Sequence, residues 1–203
     1  MRVGVLISGE GTNLQALLDT VHDREAVEVV CVASSRAGAR GLERARAAGI
    51  ETAIFPKADD RDARDAALAA WLEQRGAELL VLAGFMEILG GSFIRRFEGR
   101  IVNVHPSLLP AFPGVRAIEQ ALEHGVRVTG VTVHFVDERV DSGPVILQEA
   151  FELPYARGIE KIEARVHEIE HRLLPRAVRL IASGAVRIDP ENPRLVLIDD
   201  EHR

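Results

Sequence analysis

Residues 2–14 read Arg2-Val3-Gly4-Val5-Leu6-Ile7-Ser8-Gly9-Glu10-Gly11-Thr12-Asn13-Leu14. The run 2–7 is almost unbroken apolar sequence and stops at Ser8-Gly9, after which Leu14, Leu17, Leu18 and Val21 recur at helical spacing. That is a strand, a glycine turn and a helix. The same alternation continues outward, with strands at 27–33, 52–55, 79–83 and 101–104 and helices at 41–48 and 60–75. Short apolar strands between amphipathic helices form a parallel sheet covered on both faces, so the first half is expected to be a doubly wound α/β unit.

Beyond 104 the pattern changes. Segments 126–136 and 145–151 are long, β-branched and joined without an evident helix, so antiparallel strands added to the sheet are expected. Residues 159–182 read as one long helix, and the stretches around Val186 and Leu195, separated by Pro190 and Pro193, as a short terminal hairpin. The expected class is α/β: a doubly wound, mostly parallel sheet with helices on both faces and antiparallel strands in the C-terminal half. All 203 residues are expected to form one domain, with a phosphate-binding half at 1–100, a catalytic half at 101–188 and the hairpin ending near 198.

The composition narrows the functions. With 47% hydrophobic and 28% charged residues the chain is ordinarily globular, and 25 Lys+Arg against 31 Asp+Glu leave a net charge of −6 with no basic cluster, which disfavours nucleic acid as a partner. Cys31 is the only cysteine, so neither an internal disulfide nor a thiolate-rich zinc site can form. No apolar run reaches membrane-spanning length and no signal-peptide cleavage region follows the N-terminus, so a cytoplasmic protein is expected.

Ser8-Gly9-Glu10-Gly11-Thr12-Asn13 lies where a strand meets a helix, and there free N–H groups and the helix dipole favour an anion. A dinucleotide loop would place glycine at 14 and an acid after the second strand. The chain has Leu14 and Ser34-Ser35-Arg36 instead. A single phosphate monoester fits better, against the plainer reading of Gly11 as a tight turn with Thr12 or Asn13 as a helix cap.

His167-Glu168-Ile169-Glu170-His171 matches a zinc-protease string. At 100° per residue, however, Ile162, Val166, Ile169, Leu173, Ala177 and Ile181 form an apolar arc with both histidines at its far edge and Glu168 opposite. No metal is expected. Glu170 falls inside the arc, where a carboxylate needs a cation or hydrogen bonds; it is either a buried ion pair or a ligand for a substrate amine.

The residues best suited to chemistry are Asn103 and His105, which strand alternation puts on one face at the end of a strand, and Asp141, in a Val140-Asp141-Ser142-Gly143-Pro144 turn. An amide donor, an imidazole and a carboxylate to orient it are the parts for acyl transfer. Ser107, between Pro106 and Pro110, reads as a turn residue rather than a nucleophile, so direct attack by a substrate amine is expected.

Ser8-Gly9-x-Gly11-Thr12-Asn13-Leu14, Ala83-Gly84-Phe85-Met86, Asn103-x-His105-Pro106-Ser107-Leu108-Leu109-Pro110 and Asp141-x-Gly143-Pro144 together resemble the phosphoribosylglycinamide formyltransferases, folate-dependent enzymes of purine synthesis. The resemblance runs over about residues 2–188. It implies the formyltransferase fold and transfer of the formyl group of 10-formyltetrahydrofolate, a co-substrate, to the amine of glycinamide ribonucleotide, without a metal. It also implies roles: Asn103, His105 and Asp141 in catalysis; Gly11, Thr12 and Asn13 at the phosphate; Glu170 near the amine; Arg61 at the folate carboxylates. The 86–89 segment (Met86, Glu87, Ile88, Leu89) and the 137–141 loop, with Asp137 and Asp141, would wall the pterin slot, alongside Asn103. On spacing alone Met86, Ile88 and Leu89 read as core, and Arg61 as a solvated helix end. Glu87 departs from the family, where arginine is usual, as do Ser35-Arg36 and Ile118. Hydrolysis of the same folate, by a deformylase, and a non-catalytic anion-binding module are the alternatives. A homodimer is left open.

Overall fold

The computed structural model describes residues 1–24, 26–153 and 158–199. Strand β1 (Arg2–Ile7) is buried over its last five residues, and helix α1 (Thr12–Thr20) follows it after the glycine turn. Then come β2 (Glu28–Ser34), α2 (Arg40–Ala47), β3 (Glu51–Ile54), α3 (Arg61–Gln74), β4 (Leu79–Leu82), α4 (Gly91–Arg96) and β5 (Ile101–His105). The chain continues with α5 (Ala117–Glu123), β6 (Val128–Phe135), β7 (Val145–Glu152), α6 (Ile159–Ala182), β8 (Val186–Ile188) and β9 (Val196–Ile198). Seven strands form one sheet in the order β3-β2-β1-β4-β5-β6-β7, and β8 and β9 form a separate hairpin.

Two compact units divide the chain, Met1–Asn103 and Val104–Arg203. In the first, β1 pairs in parallel with β2 and with β4, β2 with β3, and β4 with β5. The chain leaves β1 toward β3 and returns on the other side at β4, so the strand order reverses between β1 and β4. Loops at the carboxyl ends of strands flanking such a reversal are where open α/β sheets bind ligands. Here they are 8–11 and 83–90. Helix α3 is capped by Asp60, whose carboxylate accepts the Ala63 amide at 2.9 Å.

In the second unit β6 and β7 are antiparallel, as expected of successive strands joined without a crossover helix. Helix α6 packs on both, burying Ile162, Val166, Ile169, Leu173, Ala177 and Val178 along one stripe. The sequence reading misses α4 and α5, which have only six and seven residues. Neither is long enough to show a helical period. Its β5 stops one residue short, because His105 is polar yet still in the strand. Among the described residues no helix is long and apolar enough to cross a membrane.

Candidate active site

The glycine turn of the first unit is built by close packing. Gly11 is the N-cap of α1 with φ +71°, makes no side-chain cap bond, and leaves Thr12 and Asn13 inside the first turn rather than capping it. A Cβ at Gly11 would lie 2.5 Å from the Gly41 Cα, so both glycines are needed for α2 to press against the loop. The loop is also held by the Gly41 amide donating to Gly9 O at 3.1 Å and by Arg44 Nε donating to Glu10 O at 2.9 Å. The first turn of α1 carries no acidic side chain, so no negative charge of its own offsets the positive end of the helix dipole. Gly11 thus serves as the turn residue that lets α2 pack against the loop.

After β4 the chain runs through 83–90 without regular structure. Spacing suggests core for Met86, Ile88 and Leu89, but only Leu89 is core, at 7% exposed; Met86 and Ile88 are 61% and 65% exposed. Apolar type alone does not give direction in an irregular segment. Met86 N–H donates to Ser8 Oγ at 2.8 Å, which ties this segment to the end of β1, and Ser8 Oγ in turn lies 2.6 Å from Ser35 Oγ. Glu87 turns inward, with its carboxylate 3.6 Å from the Arg64 guanidinium. Arg61 is exposed at the first position of α3.

In the second unit His105 ends β5 and is 5% exposed. Its Nδ1 lies 3.3 Å from Asp141 Oδ2 and its Nε2 2.8 Å from Phe112 O. A carbonyl oxygen only accepts, so Nε2 carries a proton, and a second proton on Nδ1 would satisfy the carboxylate: both ring nitrogens face acceptors. Asp141 Oδ2 also accepts the Gly114 amide at 2.7 Å. Asp141, Phe112 and Arg116 all have positive φ, of 49°, 52° and 62°. Non-glycine residues held in this region concentrate at functional sites. Gly143 makes the turn possible, because a Cβ there would sit 1.9 Å from Phe135 O. Asp137 closes the same turn by accepting from Ser142 Oγ at 2.6 Å and from the Arg139 amide at 3.0 Å. Asn103 is half-buried on β5, two residues before His105 and on the same face of the strand.

The sequence reading missed three residues. His134 is 1% exposed on β6, with Nδ1 2.8 Å from Phe135 O and Nε2 3.7 Å from Asp141 Oδ1. Burial pushes its pKa below the usual histidine value, and the nearby His105 adds to this against Phe135 O and the Asp141 and Asp137 carboxylates. Thr132 Oγ1 donates to Ser107 O at 2.7 Å and accepts from the Leu109 amide at 3.1 Å and Gln148 Nε2 at 2.9 Å, pinning the segment after His105. Gln148 Nε2 also donates to Leu109 O at 2.9 Å. The signal was there in period two: Thr132 and His134 are polar residues alternating within an apolar strand. Ser107 is fully buried and donates to Ala111 O at 2.5 Å, as a turn residue does.

On α6, Glu170 is 6% exposed, facing inward as helical geometry requires. The rings of His167 and His171 stack with centroids 6.1 Å apart, and Glu168 pairs with Arg165 at 2.6 Å on the outer face. Among the described residues no group of three or more His, Cys, Asp or Glu is placed to hold a metal ion.

Residues 1–178 match the family model described as formyl transferase. The chain is 48% identical over 191 residues to the trifunctional purine biosynthetic protein adenosine-3 of Gallus gallus, covering 93% of this chain but only 19% of that protein's length. It is 39% identical over 190 residues to the phosphoribosylglycinamide formyltransferase of Haemophilus influenzae, covering 92% of this chain and 90% of that one. Among solved structures, glycinamide ribonucleotide transformylase 1 from Symbiobacterium toebii superposes with a TM-score of 0.92 at 48% identity, covering 98% of this chain and 94% of that one. Sequence motifs, sheet order and the full-length likeness agree: the chain belongs to the formyl transferase family.

Proposed function

We propose that the chain transfers the formyl group of 10-formyltetrahydrofolate to the amine of glycinamide ribonucleotide, as a step of purine synthesis. The observation that carries this reading is the His105 imidazole set between a carbonyl and the Asp141 carboxylate, two residues along the same strand face from Asn103. The substrate amine attacks the formyl carbon, and the carbonyl π pair moves to oxygen. Asn103 Nδ2 and the protonated His105 stabilise the oxyanion, for which the His105 Nε2–H exchanges its bond to Phe112 O. The intermediate collapses by breaking the bond from carbon to the folate nitrogen. The proton lost by the attacking amine passes to that leaving nitrogen, with Asp141 holding the imidazole oriented and charged throughout.

The remaining assignments follow the family. Gly11, Thr12 and Asn13 hold the ribotide phosphate at the start of α1, and Glu170 faces the glycinamide amine. Met86 and Ile88 are assigned to the pterin through their side chains and the buried Leu89 through its backbone, and Asp137 is assigned to the same ring. The exposure of Met86 and Ile88 supports this, because large apolar side chains left in water are characteristic of ligand walls. Arg61, exposed at the start of α3, is assigned to the carboxylates of the folate tail, which a planar fork of donors suits.

The test is spectrophotometric: tetrahydrofolate formation by purified protein with and without the ribotide. Formation that requires the ribotide is expected. No turnover with both substrates would overturn the proposal, and formate release at the same rate without ribotide would make the protein a deformylase. Phosphate-ester binding that survives loss of His105, with no folate turnover, would reduce it to an anion-binding module.

A further inference from the structure

The irregular segment 86–90 is fixed at successive points by one helix end. Arg64, with its side chain 5% exposed, directs its guanidinium at three acceptors: Asp65 Oδ1 from Nε and Nη2 at 2.9 and 2.6 Å, Ile88 O from Nη2 at 3.1 Å, and the Glu87 carboxylate from Nη1 at 3.6 Å. Asp65, 1% exposed, accepts the buried Gly90 amide on its other oxygen at 2.7 Å. The segment therefore alternates, with Glu87 and Leu89 facing in and Met86 and Ile88 facing out. Without its anchors, a short loop with two large apolar side chains would fold them against the protein, since burying each is favourable by about 1.5–3 kcal/mol. Something must hold them outward.

We propose that Arg64 is a positioning residue for the folate co-substrate: with Asp65 and Glu87 it clamps 86–90 so that Met86 and Ile88 stand out as a ready-made apolar wall. This rests on the formyl-transfer reading for the identity of the ligand. The clamp also accounts for Glu87. Its charge is directed at Arg64, so an acid at this position serves the loop and does not face an anionic folate tail. The fork matters because its Nε, Nη1 and Nη2 are held apart in one plane and so meet acceptors at separate places, whereas the three donors of a lysine ammonium all sit on one nitrogen.

Three variants test this: Arg64→Lys and Glu87→Gln, each of which leaves Asp65 a partner, and Arg64→Gln, which does not. Two readouts apply to each. Hydrogen–deuterium exchange of the peptide spanning 86–90, measured without substrate, should quicken about tenfold in both Arg64 variants and less in Glu87→Gln. Steady-state kinetics should show KM for 10-formyltetrahydrofolate rising about tenfold for Arg64→Lys, with KM for the ribotide and kcat within about twofold of the parent. A merely structural role would lower the active fraction and move both substrates alike. Unchanged exchange in both Arg64 variants, or equal rises in the two KM values, overturns the proposal. If the parent protein turns over neither substrate, the formyl-transfer reading falls and the folate role falls with it. The exchange measurement then decides the clamp on its own.

Discussion

Replacing Asp141 with asparagine removes one charge and almost no volume, which isolates what the carboxylate does for His105. In the native site Asp141 Oδ2 is 3.3 Å from His105 Nδ1 and accepts the Gly114 amide at 2.7 Å. The asparagine oxygen can take both contacts, with its NH₂ turned to the side where His134 Nε2 stands 3.7 Å from the other carboxylate oxygen. The loop keeps its anchor, so stability should change by no more than about 1 kcal/mol. What is lost is attraction between a carboxylate and an imidazolium. At 3.3 Å and an effective dielectric constant of about 20 that attraction is about 5 kcal/mol. The two side chains are 6% and 12% exposed, so salt screens them little. With about 1.4 kcal/mol per factor of ten, and some attraction kept by the amide dipole, kcat/KM should fall roughly 10³- to 10⁴-fold. The assay is tetrahydrofolate formation with both substrates, run beside a thermal melt of the same preparation. A folded variant that loses less than about tenfold would refute the ion-pair role.

Three further outcomes are expected. Asn103→Ala removes an oxyanion donor and should lower kcat about 10²- to 10³-fold; near-parental turnover would withdraw its assignment. Gly11→Ala places a Cβ 2.5 Å from the Gly41 Cα at a φ of +71°, so it should cost roughly 1–3 kcal/mol of stability and raise the ribotide KM; a stable variant with unchanged ribotide KM would remove the loop from the phosphate site. Burial lowers the His134 pKa below 6.5 in the folded chain, so the unfolded chain binds the extra proton and stability falls as pH drops from 6.5 toward the lowered native value, with nothing lost above that range. His134→Asn should flatten the decline in urea-melt stability between about pH 7.5 and pH 5.5, leaving the part due to His171, whose pKa burial also lowers; an unaltered slope would contradict this.

Much of this molecule could be read from the chain because its signals were local. β1 and α1 follow from an apolar run, a break and a helical period within twenty residues, and α6 is legible from end to end because its buried stripe spans about five turns. Asn103 and His105 were readable for the same reason, since two residues on one strand share a face whatever the rest of the fold does. Asp141 is legible from its glycine-proline turn. The structure adds why it can sit there: it adopts a positive φ and its oxygen is anchored on the Gly114 amide, 27 residues away.

What stayed illegible depends on partners distant in sequence. No pattern joins Arg64 to Ile88, or Ser8 to Met86, across 24 and 78 residues, yet those bonds turn Met86 and Ile88 outward against their apolar character. His134 is similar: its polarity in an apolar strand was visible, but its meaning depends on Asp141 standing 3.7 Å away. These failures share a physical cause. Local periodicity records which face of an element is dry, a property averaged over many side chains. A site is made by single hydrogen bonds between elements, each of about 1 kcal/mol and each directional, and their effect is to hold groups where the average would not put them. The exposed Met86 and the positive φ of Asp141 are both departures of this kind, and the two loops that carry them are the ones expected to hold substrate.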